Sequence, residues 1–87
     1  MIPRALPGLL RHAVTGGWDV HASHPDGSDR SFRLSCHRGG DVVFIVWLPD
    51  GLGRPGEAPW RVWKSSINGT PTPYTQCTRL IQSPEGA

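Results

Sequence analysis

The sequence predicts an α+β fold: a three- or four-stranded antiparallel sheet with an N-terminal and a C-terminal helix, all in one small domain spanning residues 1–87. Three observations lead there. Leu6, Leu9, Leu10, Ala13 and Val14 recur at helical spacing near the N-terminus, and Tyr74, Cys77, Leu80 and Ile81 do so near the C-terminus. Residues 18–23 and 30–37 alternate apolar and polar, the period of half-buried strands. Between them and the second helix lies a run of seven consecutive apolar residues, Val42 to Leu48, bounded by Gly39-Gly40 and by Pro49-Asp50-Gly51. A run so short, front-loaded with Val42, Val43, Phe44 and Ile45, is a central strand that needs cover on both faces.

Taken in order, the first helix should begin around Pro7, because proline is tolerated only near a helix start. Arg11 and His12 suit the negative end of its dipole, and Gly16-Gly17 ends it. The first strand turns Trp18, Val20 and Ala22 one way and Asp19, His21 and Ser23 the other. Pro25-Asp26-Gly27-Ser28-Asp29 is a hairpin loop. The second strand points Phe32, Leu34 and Cys36 inward and Arg33, Ser35 and His37 outward. Arg38-Gly39-Gly40-Asp41 makes a tight connection into the central strand, which completes an antiparallel meander.

Residues 52–59 form the longest loop. Residues 60–66 offer a fourth strand, with Trp60, Val62 and Lys64 on one face and Arg61, Trp63 and Ser65 on the other. Ile67-Asn68-Gly69-Thr70 is a turn, Thr72 an N-cap, Pro73 the first helical position, and Pro84 the stop of the second helix.

If both helices cover one face of the meander, the central strand's other face carries Val43, Ile45 and Trp47, or, in the opposite register, Val42, Phe44, Val46 and Leu48. The 52–59 loop has only Leu52 and Ala58 as apolar residues and makes a poor lid, so a homodimer or a protein partner is expected over that face.

Composition narrows the chemistry. A chain of 87 residues supports one modest core, burying roughly 60–65% of its unfolded surface. The eleven glycines and nine prolines sit between apolar segments and act as turn punctuation. A net charge of +2 permits a nucleic-acid partner without requiring one. No segment is long and apolar enough to span a membrane, and no continuous apolar stretch resembles a signal peptide, so the expected compartment is the cytoplasm. Cys36 and Cys77 are then expected as separate buried thiols, and Asn68-Gly69-Thr70 is a chance match to a glycosylation sequon.

No zinc-type spacing of ligands, nucleophile elbow or phosphate-binding loop is present, so neither a metal nor a cofactor is expected; Gly51-Leu52-Gly53-Arg54-Pro55-Gly56 lacks the lysine of a phosphate loop. His21 and His37 face outward on neighbouring strands and can approach each other across the ladder, with Asp19 and Arg33 nearby. Trp60 or Trp63, flanked by Arg54, Arg61 and Lys64, supplies an aromatic among basic residues, the combination that stacks on nucleotides.

The order helix–strand–strand–strand–helix, with Leu9-Leu10, Gly17-Trp18 opening the first strand and Gly27-Ser28 before Phe32 in the second, resembles the small ribonuclease toxins of the HicA type and their double-stranded-RNA-binding-domain-like fold. In that family a glycine–serine–histidine motif places the catalytic histidine at the start of the second strand; Asp29 stands at that position here.

The leading expectation is a non-enzymatic module that binds RNA or DNA through Arg30, Arg33, Arg38, Arg54, Arg61, Trp63 and Lys64, with His21 and His37 as a polar patch. The alternatives are a protein-binding regulator or inhibitor that uses an exposed apolar sheet face, and a ribonuclease of the kind that the resemblance implies.

Overall fold

The computed structural model describes residues 2–25, 27, 30–49 and 60–84. Its elements run α1 (Ala5–Thr15), β1 (Asp19–Ser23), β2 (Phe32–Arg38), β3 (Asp41–Pro49), β4 (Trp60–Ile67), β5 (Thr70–Pro71) and α2 (Tyr74–Gln82). The strands form one antiparallel sheet in chain order, with β3 at its centre. The α+β class with terminal helices holds, with five strands rather than three or four.

The register of the sheet follows from the turn Gly39-Gly40. Gly39 takes φ +59°, a conformation that disfavours a side chain, and two residues suffice to reverse the chain. Arg38 then pairs with Asp41, which sets Cys36 opposite Val43, Leu34 opposite Ile45 and Phe32 opposite Trp47. These six side chains share the face that the helices cover, and all are buried. Leu6, Leu9 and Ala13 of α1 and Cys77 and Ile81 of α2 close the core over them.

Val43, Ile45 and Trp47 are therefore shielded by their own chain, at 1%, 0% and 3% exposure. Of the two registers expected, the opposite one holds, and no second chain is called for over these three residues. Val42, Phe44, Val46 and Leu48 are the residues turned away from the helices.

Other boundaries shift for local reasons. α1 starts at Ala5, not around Pro7, which becomes its third residue; the first-turn N–H that proline lacks would have had no helical partner in any case. Val14 lies outside the stripe and is exposed. Gly17 at φ +83° turns the chain out of α1, and the Trp18 amide donates back to the Ala13 carbonyl at 2.9 Å. Ala22, although on the helix-facing side of edge strand β1, stays exposed.

Asn68 and Gly69 both take positive φ, 52° and 80°, and join β4 to the two-residue strand β5, where only a turn was expected. Thr72 does not cap α2: its hydroxyl donates to the Thr70 carbonyl, and Pro73 is the cap residue. Among the described residues no helix is long and apolar enough to cross a membrane.

Candidate nucleic-acid interface

The sheet face opposite the helices is built in cross-strand rows. His21, Ser35, Phe44, Ser66 and Pro71 line up across all five strands. The next row is Ser23, Arg33, Val46 and Lys64. Asp19, His37 and Val42 form a row toward one end, and Leu48 pairs with Arg61 toward the other. The result is an apolar stripe along β3 with basic residues on both of its flanks.

Lys64 reaches this face through a β-bulge. Strict alternation along β4 would put Lys64 with Trp60 and Val62, on the helix side. Val46 pairs with Lys64 while Trp47 pairs with Val62, so Trp63 is an extra residue with no partner on β3. The bulge keeps Trp60 and Val62 packed against the core, moves Lys64 to the outer face beside Arg61, and leaves Trp63 60% exposed.

Long side chains supply the partial cover that the apolar stripe needs. Lys64 Nζ lies 5.9 Å from the centre of the Phe44 ring, a cation–π approach. Val46, flanked by Arg33 and Lys64, is only 5% exposed, whereas Val42, Phe44 and Leu48 are half-buried. Arg33 Nε donates to Ser23 Oγ at 3.2 Å. Among the described residues Arg33, Arg61 and Lys64 have no ion pair, and Asp19 is the one acid on this face. His21 and His37 do approach each other, edge to face with ring centres 6.4 Å apart, and Asp19 Oδ2 lies 3.8 Å from His21 Nε2.

Two hollows open on the face, one on each side of Lys64. One, of about 370 Å³, is lined by Pro25, Ser31, Val46, Leu48 and Trp63. The other, of about 330 Å³, includes Val42, Phe44, Lys64, Ser66 and Pro71. Ser31 is buried at 4% exposure, and its hydroxyl has no hydrogen-bond partner among the described residues. Neither Ser31 nor Phe44 is marked by a sequence motif. Phe44 follows once the two-residue turn is used to set the register; Ser31 has no signal in the sequence.

Of the basic residues expected to act together, Arg33, Arg61 and Lys64 share this face with Trp63. Arg30 precedes β2 and is exposed. Arg54 lies outside the described residues, as do the rest of the 52–59 loop and Asp29. Arg38 is elsewhere, for a structural reason. It turns toward the helices, where its Nη1 donates to the carbonyls of Gly16 at 3.1 Å and Ser83 at 2.8 Å, the C-cap residues of α1 and α2. Its guanidinium carbon lies 4.2 Å from the centre of the Trp18 ring. One cation thus serves the negative ends of both helices.

Cys36 and Cys77 are free, buried thiols. Burial pushes Cys36 up to about 11 and raises Cys77 as well, partly opposed there by the Ser65 hydroxyl. Both are held in the neutral form, unsuited to act as nucleophiles near neutrality. Among the described residues no cluster of histidine, cysteine, aspartate or glutamate is placed to hold a metal ion. No protein family, curated protein or solved structure matches the chain.

Proposed function

We propose that the protein is a non-enzymatic module that binds nucleic acid on the sheet face opposite its helices. The observation that carries this reading is the bulge at Trp63, which brings Lys64 onto the face that already holds Arg33, Arg61 and the exposed Trp63 indole. Cations on a sheet face, with no ion pairs among the described residues, suit phosphate groups; aromatic and apolar surface between them suits bases. The polar patch of His21 and His37 borders the same surface and extends it toward β1.

The reading is tested by titrating labelled single- and double-stranded DNA and RNA at a low and a moderate salt concentration. Affinity should fall steeply with salt, because each neutralised phosphate releases counterions. Arg33→Ala, Arg61→Ala and Lys64→Ala should each weaken binding and each reduce the salt slope by about 0.7 to 0.9. Absence of binding to every nucleic acid at low salt would overturn the reading and leave the half-buried Val42, Phe44 and Leu48 as the surface for a protein partner.

A further inference from the structure

From the hollow beside Trp63 we infer that the nucleic acid is single-stranded, and that one unstacked base lies in the hollow, on the Trp63 indole. The inference rests on the nucleic-acid reading and adds to it the substrate class and the base-binding site.

The hollow combines three properties. Its walls are apolar: Val46, Leu48 and Pro25 below and beside the indole. Its aromatic group is displayed rather than packed, since the bulge leaves Trp63 without a β3 partner and 60% exposed. Its remaining wall carries Ser31, a hydroxyl taken out of water and left without a hydrogen-bond partner among the described residues. An unpaired buried hydroxyl is unfavourable, and a small shift of the wall on binding would let it pair with the edge of a bound base. A nucleobase offers a flat π-surface for the indole and donors and acceptors along its edge for Ser31.

A duplex does not fit this description. Its bases are stacked on one another and present only their edges, whereas an indole can stack only on a base that has left its stack. The cations are arranged to hold the backbone of such a strand. Lys64 lies between the Trp63 hollow and the hollow beside Phe44, so its ammonium can contact the phosphate linking two splayed nucleotides. Arg33 flanks Val46 on the opposite side, two strands away, roughly 10 Å across the sheet. The Ser31 hydroxyl both donates and accepts, so it discriminates weakly among bases, and sequence preference should be slight.

The test uses the full chain and fluorescence anisotropy with mixed-sequence oligonucleotides of roughly ten nucleotides, a length within the reach of one small domain. Single-stranded DNA, single-stranded RNA and the corresponding duplex are compared at one salt concentration. The single strands should bind more tightly than the duplex. Trp63→Ala should weaken single-strand binding about 5- to 100-fold, the range expected for loss of one base–aromatic stack. Trp63→Phe should restore most of the loss, and Ser31→Ala should give a smaller decrease.

Duplex binding as tight as single-strand binding overturns the inference. So does an unchanged single-strand affinity in Trp63→Ala while Lys64→Ala weakens it, and that result leaves the nucleic-acid reading standing. If no oligonucleotide binds at low salt, both fall.

Discussion

Arg33 and Arg38 lie five residues apart on the same strand and belong to different halves of the molecule. The odd spacing sends them to opposite faces of the sheet. On the helix side Arg38 is half-buried, spans the ends of α1 and α2 and stacks on Trp18. On the open side Arg33 is exposed and, among the described residues, donates to the Ser23 hydroxyl. The role of a basic residue in a small domain is set by the face it occupies. The helix side uses its cation to complete helix ends that backbone hydrogen bonds leave unsatisfied. The open side has cations without ion partners among the described residues, so their charge remains available to a ligand.

The largest expected effect breaks this contrast directly. Arg38→Ala removes two charge-assisted hydrogen bonds and the cation at two helix C-termini, and should destabilise the fold by about 2–4 kcal/mol. Arg33→Ala should stay within about 0.5 kcal/mol of the parent, as surface substitutions usually do. Urea unfolding of the two variants measures both. Equal stability losses would mean that the two faces are not the separate regions described here.

A more gradual effect sharpens the description of the helix side. Cys36 should titrate near 11 in the folded protein and near 9.0 when unfolded. Its folded-state value is the higher one, so its contribution to stability is fully present below about pH 9 and is lost as pH rises through about 11. Cys77 shifts in the same direction. Stability measured across that window should decline, with a shallower slope in Cys36→Ala. Alkylation of both thiols in native protein near neutrality should be slow and should become fast on unfolding. Rapid native labelling of Cys36 would contradict the packing of β2 against the helices.

Much of this architecture was legible in the residues, and the failures have identifiable causes. The helix stripes and the meander follow from periodicity. The run Val42 to Leu48 is uniformly apolar and contains no alternation, so the run alone leaves its inward face open. The neighbouring turn resolves it: a two-residue Gly39-Gly40 loop pairs Arg38 with Asp41 and forces Val43, Ile45 and Trp47 to join Phe32, Leu34 and Cys36. β5, two residues long, shows no periodicity of its own, although Asn68-Gly69 is a strong hairpin signal.

The candidate site was less legible. A period of two fails at any bulge, and the bulge at Trp63 decides where Lys64 points. Nothing local in Trp60-Arg61-Val62-Trp63-Lys64 announces it; both tryptophans and the valine are compatible with either face. It arises because Trp60 and Val62 pack in the core with β3 while Lys64 pairs opposite Val46. Arg38 is indistinguishable in sequence from the surface cations for a similar reason. Its partners, Gly16 and Ser83, are 22 and 45 residues away in the chain, and no short-range pattern connects them.

The central claim is that the open face of the sheet, and not the helix face, meets nucleic acid. Amide and indole chemical-shift mapping during titration with a single-stranded oligonucleotide tests it most directly. The largest shifts should cluster at Arg33, Val46, Leu48, Trp63 and Lys64, with the Trp63 indole N–H among the most affected, while α1, α2 and Arg38 stay nearly unchanged. Shifts centred on the helices, or spread evenly over both faces of the sheet, would contradict the account.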